Sequence, residues 1–270
     1  LPVLMVSALT EKGKQVTLDA LEAGAVDFVT KPSMDIARGL NGMLKELREK
    51  VKAVARANVA FHKRKNNGGK EKISTPTPPP ISESTDKVIA IGASTGGTEA
   101  IRHILTRFPS DMAGVVIVQH MPPGFTRMFA ERLNEQCRMT VKEAESGDRV
   151  MPGRALIAPG DFHMTVYRSG GIYRVECTGG EKVCGHRPSV EALFNSVAAS
   201  AGKNAVGVIL TGMGRDGAEG MLNMRQAGAQ TIAQDEETSV VFGMPKAALD
   251  VGGAETAIPL QNIAASVIGL

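Results

Sequence analysis

The sequence predicts an α/β fold in two parts, and three observations carry that prediction. Continuous apolar runs, "VIAI", "VVIVQ" and "AVGVIL", read as parallel strands buried on both faces. Segments with apolar residues at spacings of three and four alternate with strands, as amphipathic helices require. An aperiodic stretch rich in Lys, Pro, Ser, Thr and Gly separates an N-terminal α/β portion from a larger C-terminal one. The expected division is therefore residues 1–61, a linker at 62–86, and a second domain at 87–270.

The N-terminal portion reads as strand, helix, strand, helix. "PVLMVSA" is a buried strand, and "EKGKQVTLDALEAGA" places Val16, Leu18, Ala20, Leu21 and Ala23 on one stripe that Gly24 ends. "VDFVTKP" is the next strand, closed by proline. From Ile36 to about Phe61 the stripe Leu40, Met43, Leu44, Leu47, Val51, Val54 predicts a long helix. This is half of a parallel α/β domain, which cannot bury both faces of its sheet alone. A leucine at position 1, already inside a strand pattern, leads us to expect that an N-terminal portion precedes it, and "AASVIGL" suggests a slight truncation at the other end.

From Lys87 onward the three apolar runs predict a mainly parallel sheet flanked by helices at 98–108, 126–136, 189–201 and 217–227. Between the second and third runs, "ALIAPGDFHMTVYRSGGIYRVECT" carries Ser-Gly-Gly between alternating segments and predicts an antiparallel hairpin.

Composition bounds the function. Apolar content of 43% with 22% charged residues describes a soluble globular chain. With no tryptophan and few aromatics, stacking surfaces for single-stranded nucleic acid are not expected. Between Arg38 and Lys72 eleven Lys/Arg stand against three Asp/Glu. Those charges interleave with an apolar helical stripe and carry no nucleic-acid motif, so they read as a solvated face and tether, with no nucleic-acid partner. No apolar run reaches the roughly 20 residues of a membrane span, and no signal peptide opens the chain. Cys137, Cys177 and Cys184 form no C-x-x-C pair, which points to a reducing cytoplasm and no structural metal.

The chemistry concentrates at three strand ends. "GASTG" after "VIAI" fits G-x-S-x-G, a sharp strand-to-helix turn that exposes Ser94. A phosphate-cradling loop fits less well, because neither G-x-x-x-x-G-K-[ST] nor G-x-G-x-x-G is met. A nucleophilic serine needs a base, and the base needs an orienting acid. Of five histidines, His62 lies in the linker, His103 within a helix, His163 at the start of a hairpin strand and His186 in a loop. His120 ends the run "VVIVQ" before "MPPG", at the carboxyl edge where functional groups gather in parallel sheets. Asp216 follows the third run in "MGRDGAEG", where it could equally be the N-cap of the next helix. Asp161 and Asp235 are rivals. The order Ser, His, Asp differs from that of the α/β-hydrolases, but geometry and not order defines a triad.

Together "IGASTGG", "VQHMPPGFT", "APGDFHM", "HRPSVEALF" and "LTGMGRDGAEG" resemble the chemotaxis protein-glutamate methylesterases, the CheB family, across 87–270. "MVSALT" and "GAVDFVTKP" look like the last two strands of a response-regulator receiver, a flavodoxin-like fold present here only in part. The resemblance implies Ser94 as nucleophile, His120 as base and Asp216 as its acid, with oxyanion-hole amides at Thr95 and Met213. It implies that Ser7 senses the phosphoryl group and Lys31 contacts it, with the Lys31–Pro32 bond expected cis. The phosphoacceptor aspartate belongs to the receiver half not seen in this sequence, so phosphorylation control cannot be mapped onto it.

The implied activity is demethylation of glutamyl γ-methyl esters, and deamidation of glutamines, on methyl-accepting chemotaxis receptors. It requires no metal or organic cofactor. A histidine kinase would be the phosphodonor to the full-length receiver, and the protein is expected to be a cytoplasmic monomer. Two other classes stay open: a module binding phosphate or nucleotide at 92–97, and a regulatory protein with a vestigial triad.

Overall fold

The computed structural model describes residues 1–32, 36–58 and 87–270, without the side chains of 36–39. The linker at 62–86, with His62, lies outside the described residues. The first strands, β1 (Leu4–Ser7) and β2 (Asp27–Thr30), pair in parallel around helix α1 (Glu11–Glu22). Thr10 caps α1 by accepting from the Gly13 amide, satisfying one of the free donors of the first turn.

Helix α2 (Ile36–Ala55) ends six residues before the expected Phe61. Its stripe is only partly covered: Val54 is buried, while Leu40 and Val51 are exposed. A two-stranded sheet offers too little surface to bury a full helical face, and the same limit leaves Val16 of α1 exposed. The Lys31–Pro32 bond is trans, not cis as expected. Lys31 donates its amide to Ser7 in line with β2, and its side chain is exposed, so no contact there offsets the ordinary trans preference.

Helices and strands alternate from Val88 onward. Strands β3 (Val88–Ala93), β4 (Gly114–Gln119) and β5 (Thr140–Glu143) are separated by α3 (Gly97–Leu105) and α4 (Phe125–Gln136). Then come β6 (Arg149–Val150), β7 (Arg154–Ile157) and the hairpin β8 (His163–Ser169) and β9 (Ile172–Thr178). Helix α5 (Val190–Ala201), β10 (Ala205–Ile209), α6 (Ala218–Gln226), β11 (Gln230–Gln234), α7 (Met244–Asp250), β12 (Thr256–Ile258) and α8 (Leu260–Ile268) complete the chain.

The seven-stranded sheet runs β12-β11-β10-β3-β4-β7-β5 with every pairing parallel. The antiparallel hairpin is present, and β6 adds a third strand to it. Both faces of the large sheet are covered, as continuous apolar strands require. Ile89, Ile91, Val115 and Ile117 face α3, α4 and α8. Their alternates Val88, Ala90, Val116 and Val118 face α5, α6 and the hairpin.

The N-terminal elements do not stand apart from this core. Leu18, Leu21 and Phe28 belong to the same apolar cluster as Phe125, Phe129 and Leu133. The Phe28 and Phe125 rings lie 4.5 Å apart, and Arg132 of α4 forms ion pairs with Asp19 and Glu22 of α1. The two-stranded sheet thus finds on the second part the apolar cover it cannot supply itself.

Candidate active site

The chain crosses from one side of the sheet to the other beside β3, so the carboxyl ends of β10, β3 and β4 leave a crevice between diverging connections. Ser94 follows β3, His120 follows β4, and the loop after β10 carries Asp216. Backbone bonds lock these ends together: Ser94 N–H donates to Thr211 C=O (3.0 Å), and His120 N–H to Ala93 C=O (3.2 Å).

The turn after Ser94 is tight. Gly96 has φ +78°, and a Cβ there would meet Val240 at 2.7 Å. Across the crevice, a Cβ on Gly212 would lie 2.8 Å from the Ser94 Cβ, so only glycine lets the two strand ends approach. Gln119, buried at the end of β4, donates its amide to the carbonyls of Ser94 (3.0 Å) and His120 (3.4 Å), tying the two turns together.

Ser94 Oγ lies 3.1 Å from His120 Nδ1, and His120 Nε2 lies 2.7 Å from Asp216 Oδ2. Asp216 is not the N-cap of α6; that position is Gly217 at φ +92°. Its carboxylate instead sits at the start of α5, accepting from Ser189 Oγ (2.7 Å), the Val190 amide (2.8 Å) and the Glu191 amide (3.0 Å). Burial alone would push the carboxyl up, but the hydrogen bond and charge of His120, with the Glu191 and Ser189 donors, hold it below the usual range. An ionised Asp216 can only accept, so Nε2 carries the imidazole proton and Nδ1 is left free to take the proton of Ser94.

The amides of Thr95 and Met213 donate to no acceptor among the described residues. Both flank the crevice, which has a volume of about 630 Å³ and is lined by Ser94, His120, Met213 and, from the N-terminal elements, Phe28 and Lys50. Those elements also touch the serine turn itself. Gly96 N–H donates to Val26 C=O at 3.2 Å, and Thr95 Oγ1 donates to Asp27.

The rivals have other employment. Asp161 pairs with Arg187, and Asp235 accepts from Thr238. His103 is buried within α3, and His163 bonds Glu181 C=O. Burial pushes the Cys137 and Cys177 thiols up to about 11, so neither competes as a nucleophile near neutral pH. Among the described residues, Cys184, Glu191 and Asp216 are the group close enough to hold a metal ion. Asp216 is already fully bonded and Glu191 accepts from the Gly217 amide, so these donors are spent on the loop.

Two residues, Ser189 and Gln119, escaped the sequence reading, and a third, His186, stands there only as a histidine in a loop. Ser189 and Gln119 support the acid and the turns, as described. His186 stacks on His120 with ring centroids 3.8 Å apart and planes 10° from parallel. Burial, then the neighbouring His120, push the His186 imidazole down to about 4. The unfolded chain therefore binds a proton at His186 that the folded protein refuses between roughly pH 6.5 and about 4. Stability from this residue is full above that window and is lost as pH falls through it. His186→Phe is expected to flatten the decline of Tm with pH across this interval, measured by differential scanning fluorimetry; an unchanged slope would refute the assignment.

The fold and the Ser-His-Asp geometry define an α/β serine hydrolase-type site at a parallel sheet's carboxyl edge. Residues 89–267 match the family model described as CheB methylesterase, and the chain belongs to that family. It is 60% identical over 270 residues to the protein-glutamate methylesterase/protein-glutamine glutaminase of Syntrophotalea carbinolica, spanning 100% of this chain and 76% of that one. The enzyme of the same name from Salmonella typhimurium is 54% identical over 270 residues, covering 99% of this chain and 75% of the relative. The crystal structure of the Thermotoga maritima CheB methylesterase catalytic domain superposes with a TM-score of 0.67 at 39% identity, over 69% of this chain and 99% of that one.

Proposed function

We propose that this chain hydrolyses glutamyl γ-methyl esters on methyl-accepting chemotaxis receptors and releases methanol, with Ser94, His120 and Asp216 as its catalytic residues. The same residues deamidate receptor glutamines, with ammonia leaving in place of methanol. The observation that carries the reading is the continuous relay from Ser94 Oγ through His120 to the ionised Asp216.

Ser94 Oγ attacks the ester carbonyl as its proton passes to His120 Nδ1. Asp216 keeps its negative charge and steadies the imidazolium through Nε2–H. The Thr95 and Met213 amides receive the oxyanion, each worth about 3–4 kcal/mol. The tetrahedral intermediate then collapses, and methoxide takes the proton from Nδ1 and leaves as methanol. Water attacks the acyl-enzyme by the same route, returning Ser94 and a free glutamate.

The N-terminal elements act as receiver-derived control. In this reading Ser7 senses a phosphoryl group, Lys31 contacts it, and a chemotaxis histidine kinase is the phosphodonor to the full-length receiver. Ser7 is buried, with its hydroxyl bonded to Thr17 and Gly13, while Lys31 is exposed at the end of β2. The contacts of Val26 and Asp27 with the serine turn support a restraining role on the esterase site. Among the described residues no helix is long and apolar enough to cross a membrane. In this reading the protein works as a cytoplasmic monomer on receptor glutamates.

The test is methanol release from methylated receptor membranes, comparing this chain with Ser94→Ala. Release by the wild type alone supports the reading. No release by either, or nucleotide-dependent stabilisation with affinity intact in Ser94→Ala, would replace it with the vestigial or the phosphate-binding alternative.

A further inference from the structure

The base of this site has a second imidazole laid flat against it, and that ring is held from both sides of its loop. Val183 and His186 exchange backbone bonds of 3.1 and 2.9 Å, closing the chain into a small bridge. The next residue, Arg187, is anchored on Asp161 at 2.6 Å, and Ser189 is bonded to Asp216. His186 therefore has little freedom to leave its place over His120.

We infer that His186 is a positioning residue for the general base, a flat uncharged platform that holds the plane of His120 while its charge changes. The inference rests on the proposed hydrolase reading of the Ser94–His120–Asp216 relay. His120 bonds at both ends of one ring, to Ser94 and to Asp216, and both bonds depend on the plane of that ring. Rotation about the Cβ–Cγ bond would break both at once, and a parallel ring at 3.8 Å blocks that rotation on one face. Misplacement of a reacting group by a fraction of an ångström to 1 Å is costly to rate.

The platform must also be neutral. Two imidazolium rings at this separation would repel, whereas the π face of a neutral ring tolerates a cation beside it. The charged and titratable groups felt by His186 are His120, Asp216, Lys182 and Lys50. Two of them are lysines and only Asp216 favours a proton, and burial adds to the same bias. His120 is thus left as the ring that takes up the serine proton.

The experiment compares His186→Ala, His186→Leu and His186→Phe in the full chain, each checked for folding by circular dichroism. Two rates are read: methanol release from methylated receptor membranes, and phosphonylation of Ser94 by a small fluorophosphonate, in which Oγ displaces fluoride from phosphorus and no receptor is needed. Loss of the platform in Ala and Leu is expected to lower kcat and the phosphonylation rate by about 10- to 100-fold, with KM within about twofold. The flat ring of Phe is expected to restore both to within about threefold. The downfield proton of the His120–Asp216 hydrogen bond should be sharp in wild type and Phe and broadened in Ala.

Equal rescue by Leu and Phe would reduce His186 to space filling. An unchanged kcat with raised KM would make it a substrate contact instead, and full activity in Ala would end the idea. If the wild type releases no methanol yet fluorophosphonate labelling still depends on the flat ring, the substrate assignment falls and the positioning role stands.

Discussion

Ser94→Ala is expected to lower kcat for methyl-ester hydrolysis by about 10⁴- to 10⁶-fold while leaving receptor affinity within about twofold. In the proposed mechanism the hydroxyl oxygen bonds to the substrate carbon, so its removal erases the acyl-enzyme route and leaves only the proposed oxyanion donors. Little else should change. The alanine keeps the backbone bond from residue 94 to Thr211, and the Cβ that nearly meets Gly212 is still there. Methanol assayed by gas chromatography, alongside receptor pull-down, reads both quantities. Residual activity within a hundredfold of wild type would point to a nucleophile other than Ser94.

Asp216→Asn carries the second large effect, and it is the more instructive because the two residues have nearly the same shape. Asp216 accepts from four donors: His120, Ser189 and the amides of Val190 and Glu191. An asparagine brings one acceptor and an NH₂ group, which must then face a donor whichever way it turns. Either His120 gives up the tautomer that leaves Nδ1 free, or the first turn of α5 loses its partners. The expected loss in kcat is about 10⁴-fold, together with about 1–3 kcal/mol of stability. Steady-state kinetics and urea denaturation check the two halves separately. Because the folded pKa of Asp216 is depressed, its contribution is full above the usual carboxylate range and disappears as pH falls through the folded value. The variant should therefore lose the steepest part of the acid limb of stability.

What was legible in the sequence follows from the length and purity of its signals. The runs that became β3, β4 and β10 are buried on both faces, so they are apolar throughout and end abruptly at glycine, histidine or threonine. Ser94, His120 and Asp216 stand just past those ends and could be proposed from position alone. Strands β5, β7, β11 and β12 are short and mixed in character, edge strands among them, and offered no such contrast. The helix beginning at Ile36 shows a different limit. Its stripe persists to Val54, but the surface available to it is a two-stranded sheet, and the helix stops at Ala55.

The loop residues were the least legible. Asp216 sits beside a helix start, but the helix it serves is α5 and not the one that follows it in the chain. That choice is made by the approach of two loops in space. His186 had still less to mark it: a lone histidine in a polar loop, brought over His120 by the bridge with Val183 and the anchoring of Arg187.

The imidazole of His120 is turned so that Nδ1, not Nε2, faces the serine. The usual triad presents the outer nitrogen to the substrate and the inner one to the acid. Here the outer nitrogen is committed to Asp216, and the reactive lone pair lies close to the backbone of the base's own residue. An affinity label that docks as an ester and carries an alkylating arm would consequently be trapped on Nδ1. After digestion, tandem mass spectrometry or two-dimensional NMR of the modified peptide would find the π-substituted histidine isomer, where a chymotrypsin-like arrangement would yield the τ isomer.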